Sequence, residues 1–188
     1  MLIPLTRAWR VDRDRRRRAA GYLIALRREP ESADVRWLTD AAADGDADHA
    51  QWELRYARLA LGVLTAQRDA LDDQTGSDVV AALDGSWNED ARIAEGMHAL
   101  VASQFNDRLG AYREALAARG GAVGASERLG RVLLAFASDG ARSAGAPLPR
   151  AIALLSQYLG DASEALRANY GAAKLPEHLP PSEMAAKA

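Results

Sequence analysis

The sequence predicts an all-α protein. The stretch Asp46–Leu71 carries two apolar stripes at helical spacing. β-branched residues are sparse and no strand-like alternation occurs. Gly and Pro cluster at the ends of long periodic stretches, where helices stop and start. Together these predict an antiparallel helical bundle of about four main helices. A basic N-terminal helical arm (1–30) and an extended tail (172–188) would flank a bundle body (31–171).

Asp46–Leu71 organises the rest. Asp46-Ala-Asp-His49 suits a helix start, placing short acceptors and negative charge at the exposed N–H groups. One stripe is Trp52, Tyr56, Leu59, Val63, Ala66 and Ala70. The other is Leu54, Ala57, Leu61, Leu64 and Leu71. They are offset by about 200° at 3.6 residues per turn. A surface helix needs one such stripe, so a helix with two is expected between neighbours on both sides. Its charges (Glu53, Arg55, Arg58, Arg68, Asp69) fall in the narrow sectors left over, and Trp52 and Tyr56 read as core aromatics.

In chain order, Thr6 is placed to cap a helix from Arg7 towards Arg28, with Ala19, Tyr22, Leu23 and Leu26 as its stripe and Pro30 as its stop. Ser32 would cap a short helix Ala33–Ala43. After the central helix, Asp72–Gly76 reads as a break and Ser77–Leu83 as a short helical turn. Ser86-Trp-Asn-Glu89 fits a capping box. It would open the longest helix, Ser86–Arg119, about 50 Å long at 1.5 Å per residue. The stripes of that helix are Ile93, Met97, Leu100 and Gln104, then Val101, Phe105, Leu109, Tyr112 and Leu116. Gly96 and Gly110 inside it, each costing about 1 kcal/mol relative to Ala, suggest close helix approach or a bend. Ser126 would cap Glu127–Ser138. The last helix starts at Pro147 or Pro149 and carries a near-heptad seam of Leu148, Ile152, Leu155, Leu159, Ala162, Leu166 and Tyr170. Gly171 ends it.

Composition bounds the chemistry. Hydrophobic residues make 48% and charged residues 27% of 188 residues, a globular balance suited to one substantial core. There is no cysteine, which excludes disulfides, thiolate metal sites and cysteine nucleophiles. No apolar run reaches the ~18 residues that span a bilayer. Arg15–Arg18 followed by Ala19–Leu26 resembles a leader only superficially, since Arg27-Arg28-Glu29 closes it without a cleavage site. A cytoplasmic location is expected.

Charge is unevenly placed. Residues 1–30 hold nine arginines against three acids, a net +6, so the rest carries −8 of the total −2. Arg13, Arg15, Arg16, Arg17 and Arg18 form the basic cluster, each presenting a planar fork suited to carboxylate or phosphate, with Trp9 beside them. An acidic protein partner, nucleic acid or an anionic membrane surface could each take them.

Two further patterns carry candidate chemistry. Glu95-Gly-Met-His98 has Glu-x-x-His spacing, which on a helix puts both side chains on one face, with Glu53 as a possible third ligand. In this it resembles the ferritin-like di-metal bundles, which implies a metal-binding or oxidoreductase role. The second copy of that motif is replaced by Glu164-Ala-Leu-Arg167, and arginine is no ligand. His98 therefore reads as a core histidine, and no cofactor is expected. Asp44-Gly-Asp46-Ala-Asp48 starts like a calcium loop, but His49 and Arg55 stand where that loop needs Gly and Glu, so it reads as an interhelix turn. No nucleophile elbow, phosphate-cradling loop or dinucleotide fingerprint occurs. The expectation is a non-enzymatic interaction or scaffold subunit that self-associates or joins a larger assembly. A ferritin-like metal bundle and a nucleic-acid-binding regulator are the alternatives.

Overall fold

The computed structural model describes residues 3–70, 73–118, 123–138 and 147–172, with side chains from Trp9 onward. The described residues form seven α-helices and no strand. They are α1 (Ile3–Leu26), α2 (Ser32–Ala41), α3 (Ala47–Asp69), α4 (Asp73–Trp87), α5 (His98–Ala117), α6 (Ala125–Ala137) and α7 (Leu148–Tyr170).

α3 is the hub, packing against each of the other six helices. Most of both expected stripes is buried: Tyr56, Leu59, Val63 and Ala66 on one side, Leu54, Ala57, Leu61 and Leu64 on the other, while Trp52 and Ala70 are half-buried and Leu71 lies outside the described residues. A fully buried leucine such as Leu54 or Leu61 stabilises the fold by about 2 kcal/mol relative to exposure. Asp46 caps the helix, its carboxylate accepting from the His49 backbone N–H at 2.9 Å. The preceding turn holds Asp44 and Gly45 at positive φ (47° and 91°), which suits Asp and Gly at those two places.

α1 begins at Ile3, ahead of the expected start at Arg7. Ala19, Tyr22, Leu23 and Leu26 reach the core as their spacing implies. α1 runs parallel to α4, since Arg15 meets Asp78 and Arg27 meets the Ser86 carbonyl. It runs antiparallel to α7, whose last residue Tyr170 stands edge-on to Tyr22 with ring centroids 6.5 Å apart. Close helix approaches occur at Gly21, Gly62 and Gly130, not at Gly96 or Gly110. A Cβ at Gly62 would lie 2.4 Å from Leu26 Cδ1, and the Tyr22 hydroxyl donates to the Gly62 carbonyl at 2.8 Å. Gly110 faces open space, and Gly96 lies outside any helix with φ +80°.

The expected Ser86–Arg119 helix is not formed. α4 runs unbroken from Asp73 to Trp87, so Asp73–Gly76 of the expected break Asp72–Gly76 are helical, as is the short turn after it. Ser86 therefore ends a helix, its hydroxyl on the Leu83 carbonyl at 2.6 Å, and makes no capping box with Glu89. Residues 88–97 are non-helical, and α5 starts at His98. The physical reason is Asp90. Its buried carboxylate accepts from the Arg92 backbone N–H (3.1 Å) and guanidinium (2.7 and 2.6 Å), and from Arg27 (3.0 Å). Such local side-chain-to-backbone bonding competes directly with a helix. Arg92 also reaches Glu29, which binds Arg55 at 2.6 Å, so the loop is tied to α1 and α3.

Two other caps shift. The residues ahead of α2 and α6 are Glu31 and Gly124 in extended conformation, with no side-chain cap, so Ser32 and Ser126 lie inside the first turn. α7 follows expectation, with Pro149 in its first turn and Gly171 (φ 83°) after its end. The expected tail from 173 onward and the loop 139–146 lie outside the described residues.

Candidate functional site

The Arg cluster sits on the first half of α1. α7 ends opposite Tyr22, so this half is backed mainly by α4. Arg15 is held there by a two-point ion pair with Asp78 (2.6 and 2.8 Å), which pulls the Asp78 carboxyl below its usual range. Arg16 pairs with Asp12 one turn earlier at 2.8 Å. Arg13 stacks its guanidinium 5.4 Å from the Trp9 ring. Arg17 and Arg18 are exposed. Trp9 and Val11 stay 61% and 52% exposed beside these charges. The cluster is thus a solvent-facing helical surface, cationic with apolar inserts.

Glu53, Glu95 and His98 do not come together as one helical face. Glu95 lies in the non-helical segment ahead of α5, while His98 is the first residue of α5, so the i, i+3 spacing has no helix to act on. Glu53 is 2% exposed and committed to Arg108, whose Nη2 and Nε donate to it at 2.5 and 3.2 Å. Among the described residues no group of three or more His, Cys, Asp or Glu is arranged to hold a metal ion. His49 has a structural tie, its Nε2 lying 3.0 Å from the Phe136 carbonyl oxygen.

Glu53 and Arg108 form the floor of a cleft of about 460 Å³ between α3 and the start of α5. The Arg108 guanidinium is also sandwiched by Phe136 (4.4 Å) and Tyr56 (5.4 Å), and the Tyr56 hydroxyl donates to Gln104 at 3.0 Å. Burial pushes the Tyr56 hydroxyl up to about 12, with Arg108 opposing, so it stays protonated. On this floor Glu53 is thus committed to Arg108, and Tyr56 to Gln104. The lips are apolar: Trp52 is half-buried, and Met97 and Leu100, expected in a buried stripe, are 43% and 47% exposed. They emerge because the break before α5 turns that stripe outward. Spacing alone could not show this.

Sequence reasoning missed a third place. Arg58 on α3 is almost wholly buried over Tyr158 of α7. Its position between two buried stripes was the available signal, because such a helix has no open face to offer a charge. Among the described residues no helix is long and apolar enough to cross a membrane. Compared with known protein families, curated proteins and solved structures, the chain matches none.

Proposed function

We propose that this is a non-enzymatic scaffold subunit that associates with further copies of itself, or joins a larger assembly, through the first half of α1. The supporting observation is the exposed surface Trp9–Arg18. It sets Trp9 and Val11 among arginines on a helix backed mainly by one neighbour. Exposed aromatic and arginine side chains are what protein interfaces favour. The charge split supplies a complement, since a +6 segment of one copy meets the −8 remainder of another. On this reading α1, α3, α5 and α7, the four long helices, are the main members of a bundle, and the protein works in the cytoplasm. The apolar lips Trp52, Met97 and Leu100 offer a second contact.

The test is the native mass of the full chain and of a chain lacking residues 1–18, by light scattering. The cut at 18 spares Ala19–Leu26, which belong to the core. An oligomer that becomes monomeric on truncation supports the reading, and a monomer in both cases overturns self-association. Exposed Arg17 and Arg18 favour nucleic acid as the second reading. It requires binding whose logarithm falls with log salt at a slope of about −0.9 per phosphate contacted.

A further inference from the structure

We propose that the cleft between the end of α1, the middle of α3 and α7 binds a small zwitterion of the amino-acid class, its carboxylate on Arg58 and its ammonium group on Asp161 and Glu164. The cleft measures about 370 Å³ and is lined by Arg28, Arg58, Tyr158, Asp161 and Glu164 together with alanine and leucine side chains. That volume is at the small end for ligand sites.

The inner wall carries a buried arginine that has no counterion among the described residues. Arg58 is 7% exposed, and its Nε has no hydrogen-bond partner. It lies over the Tyr158 ring at 4.3 Å and makes a long bond of 3.4 Å to the Arg28 carbonyl. It takes part in no ion pair among the described residues. The Tyr158 hydroxyl is enclosed in the interior beneath the arginine. Burial pushes that hydroxyl up to about 12, against the pull of Arg58, so it remains a donor at neutral pH. A buried guanidinium that lacks a counterion is costly, and a carboxylate fits its planar fork. A carboxylate in the cleft would answer Arg58.

The outer wall selects the rest of the ligand. Asp161 and Glu164 are exposed, stand one turn apart on α7, and make no ion pair among the described residues. Tyr158, Asp161 and Glu164 follow at i, i+3 and i+6, each step turning about 60° around the helix and rising about 4.5 Å, so the row leads from buried Tyr158 out to the two exposed acids. With Arg28 at the rim the cleft is formally neutral. A phosphate dianion would face both acids, whereas a molecule with separated opposite charges meets a partner at each end.

The test is calorimetric titration of the full chain, at fixed ionic strength, with glycine, β-alanine, γ-aminobutyrate, acetate and inorganic phosphate. At least one amino acid is expected to bind saturably and more tightly than acetate or phosphate. Arg58→Met should weaken that binding by about tenfold or more, the effect of losing a charge-assisted hydrogen bond. Asp161→Asn with Glu164→Gln, both exposed positions, should abolish the preference over acetate, and decides the matter if the Arg58 variant fails to fold. Absence of saturable binding by every probe overturns the proposal. So does phosphate or acetate binding as well as the amino acids, or unchanged affinity in the Arg58 variant.

Discussion

Arg58 and Arg108 are the same side chain drawn towards the same core, and they are compensated in opposite ways. Arg108 stacks on two rings and is neutralised by buried Glu53. Arg58 stacks on one ring and has a distant carbonyl instead of a carboxylate. The difference separates two sources of stability. A buried ion pair resists the loss of either member because the survivor is left charged and unpaired. An arginine without a counterion leaves nothing stranded when it goes. Its burial is a cost the fold already carries, offset by packing of its alkyl stem and the ring contact.

Four experiments would break or sharpen that contrast. The largest effect is expected from Arg108→Met, which strands Glu53 and should cost about 3–5 kcal/mol in urea denaturation. Adding Glu53→Leu should recover most of the loss; if it recovers none, packing over Phe136 and Tyr56 rather than charge is what Arg108 supplies. Next comes acid. Bonds from Arg92 hold the Asp90 carboxyl at about 2, below its ordinary 3.8. A group depressed in the folded state stabilises fully above its unfolded value, and loses that contribution as pH falls through the folded one. Asp90 should therefore contribute about 2 kcal/mol at neutral pH, lost between pH 3.8 and 2. Asp90→Asn should flatten that part of the stability–pH curve, and an unchanged curve would assign the acid loss elsewhere. Arg58→Met should move stability by no more than about 1 kcal/mol in either direction, since similar-sized apolar replacements of buried charges are often neutral. A loss of several kcal/mol would show that Arg58 has a counterion after all. Smallest of all, Arg17→Ala and Arg18→Ala should stay within about 0.5 kcal/mol, as exposed positions do. Light scattering on the same two variants asks whether the native mass falls without any loss of stability.

The hub helix was legible because its pattern is local: two stripes at 3- and 4-residue steps mean the same thing wherever the neighbours come from. α7 and the buried end of α1 were legible for that reason too. The segment Ser86–Met97 was not. Ser-x-x-Glu followed by an apolar stripe also occurs where a helix ends and its last serine bonds back to Leu83. What decides is Asp90, whose partners Arg27 and Arg92 are set by tertiary contact. Without that helix Glu95 and His98 no longer share a helical face, and the spacing that paired them belonged to the wrong element. Ser32 and Ser126 show a smaller ambiguity, since an extended residue ahead of a serine can take the cap position and push the serine inside. Arg58 was placed with the other charges of α3 because its ring partner lies 100 residues further on.

The meeting of Tyr22 with Tyr170 has a bearing on how the chain is made. α1 leaves the ribosome first of the seven helices and α7 last, yet each covers the other and both lie on α3. Until α7 emerges, one flank of α3 faces water, including fully buried positions of the finished protein. A nascent chain holding α1–α6 is thus an unfinished core, prone to sticking and attractive to chaperones. Closure then joins the two ends of the helical order in one late step. Chains arrested shortly before Leu148 should be markedly more protease-sensitive than chains released after Tyr170, a contrast readable on stalled ribosomes.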